Sequence, residues 1–330
     1  MQIQRKKFKL SALLGVSAAL LAFSQPSMAD DLSLRLNWKM KGEFTPFVVG
    51  SDKGMFSRNG TTVSVEEGSG ATLALQSVAT GEDDFAYVPS VQLIQAVNNG
   101  MPVKAIATVS KVDSMGMVAR PGISLQSPKD LEGKTVEIAS ASTFNNIWEA
   151  FAATNDIDVS KVEVVSVNPG ARFNLLLSGQ VDILADIFLT NELPVLKSKA
   201  GEDLNSIAVG DYGFRIIGYT LVTSTDMIEN QPEQVSAFLA GAKEAFQFTL
   251  DNPDEAISIA TSAYPDVLQP EATKGQVEAL VGFLNMGEPS TLFEGSIEGW
   301  QATLDALESA GVIDTKKEAS AYFTNEFLDK

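Results

Sequence analysis

Aromatic side chains that follow predicted strands are the residues of this sequence best suited to bind a ligand. Trp38 comes directly after residues 32–37, where leucines alternate with polar residues as in a half-buried strand. An indole at the end of a strand can stack on a planar ligand, or it can pack the strand against the next helix. Phe44 fits either a pocket edge or the first buried turn of a helix over residues 44–57. We expect Trp38 to contact a ligand and leave both interpretations of Phe44 open.

Charged side chains near these strands offer fewer candidates. We expect Lys41 and Glu43, on the loop after Trp38, to be solvated at the rim of a site, because charged residues are rarely buried. Arginine is scarce, and Arg172 and Arg215 are the two placed to face a cleft. Either could hold a carboxylate or sulfonate through two N–H groups, or form a surface ion pair instead.

Polar side chains at predicted helix starts form a further group. Tyr87 and Ser90 follow one strand, and Ser142 and Thr143 follow another. Free backbone N–H groups at a helix start can bind polar ligand groups, although capping alone also explains Ser and Thr there. Asp186 could accept hydrogen bonds from a ligand amine, or cap the next turn. The candidates drawn from these patterns are Trp38, Phe44, Tyr87, Ser90, Ser142, Thr143, Phe144, Asn168, Arg172 and Asp186.

Composition excludes several function classes. The 330 residues carry a net charge of −18, which argues against nucleic-acid binding because that needs a basic surface. The sequence has no cysteine and no histidine, so thiolate chemistry, Ser-His-Asp hydrolysis and the commonest metal ligand are all missing. No phosphate-loop, dinucleotide or nucleophile-elbow motif occurs. We therefore predict no cofactor and no metal.

The N-terminal residues 1–29 have the organisation of a cleaved secretory signal peptide. A basic stretch precedes the apolar run 10–23, and Ser27-Met28-Ala29 supplies the small residues of a cleavage site. The alternative is an uncleaved anchor, but the run is shorter than the ~20 residues that a membrane span needs. No cysteine follows that could carry a lipid. We expect the mature protein to be free in a bacterial periplasm.

Short apolar strands alternate with amphipathic helices, the pattern of an α/β fold, and the chain becomes mostly helical after about residue 225. Four prolines, Pro232, Pro253, Pro265 and Pro270, are expected at helix starts or breaks. Strands are predicted near residues 32–37, 62–66, 84–88, 103–109, 134–139, 162–167 and 181–185, and helices near 44–57, 71–80, 89–99, 143–154, 170–178 and 190–199.

Two segments repeat one pattern. Residues 65–90 and 165–190 each run strand, Gly-Ala, helix, Gly-x-x-Asp and strand, which indicates two similar α/β lobes. In open α/β sheets ligands bind beyond the carboxyl ends of the strands, so the site is predicted in a cleft between the lobes. We place the hinge crossings near 113–120 and 216–223. The first lobe then comprises residues 30–117 plus 221–330, and the second comprises residues 118–220.

Several ordered pieces resemble one family of proteins. They are Leu36-Asn37-Trp38, 52-DKGMFSRNG-60, 81-GEDDFAY-87, 100-GMPVKAIA-107, 122-GISLQSPKDLEGKTVEIAS-140 and 178-SGQVDI-183. In this order and spacing they resemble the substrate-binding proteins of bacterial ABC importers for nitrate, sulfonate, taurine and thiamine-pyrimidine precursors. The likeness covers roughly residues 32–225. It implies a type II periplasmic binding protein that closes on a small molecule and presents it to an ABC permease in the inner membrane. The usual state in this family is a monomer.

The resemblance also implies site residues. In the thiamine-precursor branch a tryptophan follows the first strand, and an aromatic residue and a glutamate follow the Gly-x-Val-Asp strand. Phe188 and Glu192 occupy comparable places here, which adds them to the candidates. The first loop departs from that branch, because Phe44 stands near where relatives carry a histidine. A eukaryotic relative makes the pyrimidine with its own histidine, and this sequence has none, so we set that activity aside.

The leading hypothesis is therefore a solute receptor, not an enzyme, for a small planar heterocycle or aromatic compound. The number of aromatic candidates favours this ligand over the alternative, a small sulfonate, taurine or a carboxylate anion. A second hypothesis is an exported enzyme on the same fold that uses carboxylates such as Asp186 and Glu192. A third is the sensor lobe of a membrane kinase.

Overall fold

The computed structural model describes residues 30–140, 142–168, 170–286 and 292–328. The predicted signal peptide, residues 1–29, lies outside this part of the chain. Within it, no helix combines the length and the apolar character that crossing a membrane requires.

The described residues form ten strands and twelve α-helices, numbered here in chain order. The strands are β1 (Asp30–Leu36), β2 (Thr61–Glu66), β3 (Phe85–Pro89), β4 (Val103–Thr108), β5 (Met115–Ala119), β6 (Thr135–Glu137), β7 (Glu163–Val165), β8 (Ile183–Phe188), β9 (Ser206–Ala208) and β10 (Tyr219–Ser224). The helices are α1 (Thr45–Asp52), α2 (Met55–Arg58), α3 (Ala71–Thr80), α4 (Ser90–Asn98), α5 (Thr143–Thr154), α6 (Arg172–Leu177), α7 (Glu192–Ala200), α8 (Thr225–Asn230), α9 (Pro232–Asp251), α10 (Pro253–Ala263), α11 (Pro270–Leu284) and α12 (Ile297–Ser309).

Two five-stranded sheets with matching strand order organise the molecule. The first sheet has the order β2-β1-β3-β10-β4, and the second has the order β7-β6-β8-β5-β9. In each sheet the first three of these strands are parallel, and the strand that arrives from the other sheet is antiparallel to its neighbours. This confirms the predicted α/β fold of two similar lobes.

The chain passes between the sheets through residues 109–114 and 213–218. The strands that follow these crossings, β5 and β10, begin at Met115 and Tyr219, whereas the lobe limits predicted from the sequence fall inside them, at residues 117 and 220. The extent of each lobe as a rigid unit stays a prediction.

The repeated Gly-x-x-Asp segments have the same structural role in both lobes. Gly81 and Gly179 adopt positive φ angles of 75° and 76° just after a helix, which L-residues rarely adopt. The aspartate that follows then fixes the neighbouring strand. Asp84 Oδ2 accepts the Ser33 N–H at 2.8 Å, and Asp182 Oδ2 accepts the Thr135 N–H at 3.1 Å. The repeat is therefore a structural duplication.

Two local predictions need correction, and one is confirmed. The helix predicted over 44–57 is broken, because Gly54 adopts a left-handed conformation with φ 64° between α1 and α2. The three-residue edge strand β9 was missed, since so short a stretch has no readable periodicity. Pro232, Pro253 and Pro270 begin helices as predicted.

Candidate ligand-binding cleft

A cleft opens at the carboxyl ends of the parallel strands of both sheets. Its outer chamber, about 910 Å³, is lined by the loop after β1, by the ends of β6 and β8, and by helices α7 and α11. A connected inner chamber, about 370 Å³, lies toward the two crossings and the starts of α3, α4 and α5. The residues that line both chambers are Asn37, Trp38, Ser142, Asp186 and Phe188. The cleft thus lies where the strand polarity predicted it.

The residues that line both chambers form the junction between them. Trp38 is the most exposed aromatic side chain of this junction. It lies in the turn after β1 and is 53% exposed. The turn is fixed from behind, because the Trp38 carbonyl accepts the Gly68 N–H at 3.1 Å. Only glycine fits there, since a Cβ on Gly68 would lie 1.9 Å from the Leu36 carbonyl oxygen. The opposite lobe contributes Phe188, at the end of β8, to the same junction.

A buried charge cluster forms the second-lobe wall of the cleft. Arg172, at the start of α6, lies 3.1 Å from Glu137 Oε2 and 3.8 Å from Glu192 Oε1, and it donates to Asp186. Its Nη2 also donates to the Ala185 carbonyl at 2.9 Å. Three carboxylates therefore surround one guanidinium, so the charge of the arginine is already compensated within the wall.

The carboxylates of this cluster are unequal. Glu137 is fully buried, and its Oε2 lies 3.1 Å from the Arg172 guanidinium. Burial raises its pKa to about 7, against the lowering effect of Arg172. Burial likewise raises the pKa of Glu192, which accepts the Phe188 N–H at 2.9 Å. Asp186 adopts a positive φ of 63° and accepts the Ala139 N–H at 2.8 Å, so its backbone is held in a rarely populated conformation.

Seven of the twelve candidate residues line the cleft. Trp38, Ser142, Asp186 and Phe188 line both chambers, Arg172 and Glu192 the outer one, and Thr143 the inner one. The Ser142 hydroxyl also accepts the Asn145 N–H at 3.0 Å, so the capping interpretation holds for this residue beside its place in the wall.

Three aromatic or hydroxyl candidates of the first lobe are packed behind the wall. The Phe44 side chain is fully buried and meets the Tyr87 ring edge-on at a centroid distance of 5.9 Å. Tyr87 in turn stacks on Tyr219 at 4.6 Å. The Ser90 hydroxyl donates to the Ile217 carbonyl. These contacts turn the side chains into the core, so they do not line either chamber.

Two candidates of the second lobe are also directed away from the chambers. Phe144 is fully buried against Trp148 and Phe151, because α5 needs this face for its own core. Asn168 forms a local turn in which its side chain accepts the Gly170 N–H at 2.9 Å. Trp148 is 8% exposed and belongs to the same core.

The expectation that Lys41 and Glu43 are solvated was wrong. Glu43 is 2% exposed, and its Oε1 lies 2.6 Å from the Lys41 ammonium. Its Oε2 accepts a hydrogen bond from the Thr190 hydroxyl of the second lobe at 3.3 Å. The pair is buried because the loop after β1 meets the second lobe here, a contact that the local sequence does not reveal.

Other wall residues carry no local signal in the sequence. Gln276, on α11, accepts the Gly42 N–H at 2.7 Å and donates to the Asn191 carbonyl at 3.1 Å. Gln92 and Asp113 face the inner chamber from α4 and from the first crossing. Each comes from a segment distant from Trp38 in the chain, so only the tertiary fold brings them to one cleft.

Comparisons with known proteins give two kinds of likeness. The formylaminopyrimidine-binding protein from Halalkalibacterium halodurans is 24% identical over 316 residues, covering 92% of this chain and 94% of that protein. The riboflavin-binding protein RibY from Chloroflexus aurantiacus is 24% identical over 321 residues, covering 92% of this chain and 88% of that protein. Among solved structures, the periplasmic aliphatic sulphonate binding protein SsuA from Escherichia coli aligns with a TM-score of 0.68 at 13% identity, covering 89% of this chain and 92% of that one.

The likeness to the solved structure concerns the fold, two α/β lobes with a cleft between them. A sequence model of the family described as NMT1/THI5 like matches residues 41–256, which include both crossings and the whole second sheet. This chain therefore belongs to the NMT1/THI5-like family.

Proposed function

We propose that this protein is a periplasmic solute-binding protein that delivers a small planar nitrogen heterocycle to an ABC permease in the inner membrane. The observation that carries the proposal is the pairing of an exposed stacking surface, Trp38, with a second-lobe wall of carboxylates. Nitrogen heterocycles combine a flat ring with N–H donors, which matches both features. The two sequence relatives are named for ligands of this chemical class, formylaminopyrimidine and riboflavin.

The charge cluster argues against a small anion as the ligand. Nitrate or a sulfonate would need a free cation with open N–H donors. Arg172 already contacts Glu137, Asp186 and Glu192. The other two cations that line the outer chamber are also paired, Lys41 at 2.6 Å from Glu43 and Lys39 at 3.3 Å from Glu67. An anion would thus have to displace carboxylates from their partners.

The proposed mechanism is closure of the two lobes about the crossings. A ligand held between Trp38 of the first lobe and Phe188 of the second favours the closed state by its greater affinity for it. The protein acts as a monomer, released into the periplasm after removal of residues 1–29, and performs no reaction on its ligand.

A binding screen with the purified mature chain tests the proposal. The probes are 4-amino-2-methylpyrimidine, riboflavin, taurine and nitrate. Their binding is measured by thermal shift and by calorimetry. We expect a heterocycle to raise the melting temperature and the two anions to have no effect. Trp38→Ala should weaken heterocycle binding about tenfold or more, because stacking on an aromatic ring contributes roughly 1–3 kcal/mol.

Leu73→Ala is the matched control, because Leu73 is 57% exposed and lies outside both chambers. Its affinity should equal that of the unchanged protein. If taurine or nitrate stabilises the protein and the heterocycles do not, the ligand class proposed here is wrong.

A further inference from the structure

The inner chamber contains hydrogen-bond acceptors that have no partner. Gln92, on the first turn of α4, has its Oε1 buried without a hydrogen bond, and Asn37 Oδ1 at the junction is in the same state. Asp113 is 8% exposed, and its carboxylate accepts the Met115 N–H through Oδ1 at 2.7 Å. Buried acceptors without donors are costly, typically about 1–3 kcal/mol each. The chamber therefore presents acceptors to a donor group that enters it.

The chamber offers no positive charge to compensate these acceptors. No lysine or arginine is among the described residues that line it. Burial raises the pKa of Asp113 to about 6, so its carboxylate is ionised at neutral pH although it is almost enclosed. The Asn37 amide is fixed in orientation, because its Nδ2 donates to the Tyr219 hydroxyl at 3.2 Å, and Asn37 lines both chambers.

We propose that the inner chamber is a specificity pocket for an N–H donor group of the ligand, such as an exocyclic amine or an amidine, with Gln92 and Asp113 as the residues that recognise it. This inference rests on the proposed function. It adds to it the ligand group that the inner chamber recognises. The ring stacks at the junction on Trp38, and the donor group reaches past it toward the crossings. The chamber volume of about 370 Å³ leaves room for such a substituent.

Two probes that differ by one group test the inference. They are 4-amino-2-methylpyrimidine and 2,4-dimethylpyrimidine, in which a methyl group of similar size replaces the amine. Calorimetry should show about tenfold or more weaker binding of the dimethyl compound, since a site built around N–H donors rejects an analogue that lacks them. Asp113→Asn and Gln92→Leu should each reduce this preference, acting on the amino compound and leaving the affinity for the dimethyl compound unchanged.

A third variant distinguishes whether Gln92 accepts a hydrogen bond from the ligand or donates one to it. Gln92→Glu keeps an acceptor at this position, so it should bind the amino compound at least as tightly as the unchanged protein. If Gln92 instead donates its amide N–H to a ring nitrogen of the probe, Gln92→Glu will weaken binding as much as Gln92→Leu does, and the inference is overturned. Gln95→Leu is the control, because Gln95 lies on the same helix but its amide reaches toward the Val312 carbonyl, outside the chamber.

The remaining outcomes distinguish this inference from the proposed function. Equal affinities for the two probes, with binding still lost in Trp38→Ala, overturn the inference and keep the heterocycle receptor. No binding of either probe counts against both. Melting temperatures of all variants within a few degrees of the unchanged protein establish that the differences arise in the pocket and not in folding.

Discussion

Glu137 shows how the second-lobe wall depends on pH. Its carboxyl group is fully buried beside Arg172, which also serves Asp186 and Glu192. One guanidinium cannot offset the desolvation of three carboxylates, so burial raises the pKa of Glu137 from an ordinary value of 4.5 to about 7. The folded protein therefore holds this proton more tightly than the unfolded chain does.

This raised pKa predicts a stability that falls with rising pH. The contribution of protonated Glu137 is fully present below pH 4.5 and is lost as the pH rises to about 7. Glu137→Gln removes the titration but keeps the shape. We expect the variant to lose less thermal stability than the unchanged protein between pH 5 and pH 8, as measured by calorimetric melting temperatures.

Glu149→Gln supplies the comparison for this experiment, because Glu149 is exposed on α5. It should follow the unchanged protein at both pH values. Asp113, whose pKa burial raises to about 6, titrates in the same window but is common to all three proteins and cancels. If the melting temperatures of Glu137→Gln and of the unchanged protein change by the same amount between pH 5 and pH 8, the predicted pKa is wrong.

At the residue scale the sequence predicted positions better than orientations. The end of a strand can be read from hydrophobic alternation, and this placed Trp38 and Phe188 at the cleft. It does not tell whether the last side chains face the cavity or the core. Tyr87 and Phe44 are near the correct end of the sheet but pack against each other at 5.9 Å. The direction of the Tyr87 side chain depends on its stacking against Tyr219, which follows more than a hundred residues later.

At the scale of elements, the aspartates of the two repeated segments, Asp84 and Asp182, stabilise the neighbouring strands through hydrogen bonds. Asp84 accepts two hydrogen bonds from Ser33, one from the backbone N–H at 2.8 Å and one from the hydroxyl at 3.0 Å. These bonds tie the start of β3 to β1, whose far end carries the cleft loop. The helix-to-strand turn is therefore a clamp on the strand that positions Trp38.

Removal of this clamp should destabilise the first lobe. Asp84→Ala leaves the Ser33 N–H without its partner, which costs about 1–3 kcal/mol of unfolding free energy. Denaturant unfolding followed by circular dichroism measures the change. Asp52→Ala is the matched control, because Asp52 is exposed at the end of α1 and makes no hydrogen bond with the described residues. Equal losses in both variants would show that the Asp84 contacts contribute nothing.

Element boundaries followed from the sequence where a local signal exists. Pro232, Pro253 and Pro270 begin their helices, because a proline at the first position loses no helical hydrogen bond. Two features had no such signal. The break at Gly54 depends on a left-handed turn, and β9 depends on its pairing with β5 from Gly116 to Val118. Both are tertiary effects on short segments.

At the scale of the whole molecule, the two lobes meet across the cleft mouth through helices α11 and α7. Gln276 of α11 joins the lobes, because it accepts the Gly42 N–H and donates to Asn191, the residue before α7. One position earlier, Gly275 lies against Pro194, and a Cβ there would be 2.8 Å from the proline Cβ. The sequence did not predict these contacts, since α11 follows α7 by some seventy residues.

A side chain at Gly275 should therefore open the cleft. Gly275→Leu places a wedge between α11 and Pro194, and overpacking of this kind costs about 1–3 kcal/mol. The cost falls only on the closed arrangement, so the equilibrium shifts toward open molecules and ligand affinity falls by roughly 5- to 150-fold. Small-angle scattering of the ligand-free protein should show a larger radius of gyration, and calorimetry with 4-amino-2-methylpyrimidine the weaker binding.

Gly282→Leu provides the control on the same helix, two turns further along, where a Cβ meets nothing within 4 Å. It should match the unchanged protein in radius and affinity. Because Gly275 lies outside both chambers, a lower affinity in Gly275→Leu reports on closure and not on lost ligand contacts. An unchanged radius of gyration together with unchanged affinity would mean that the α11–α7 contact does not limit closure.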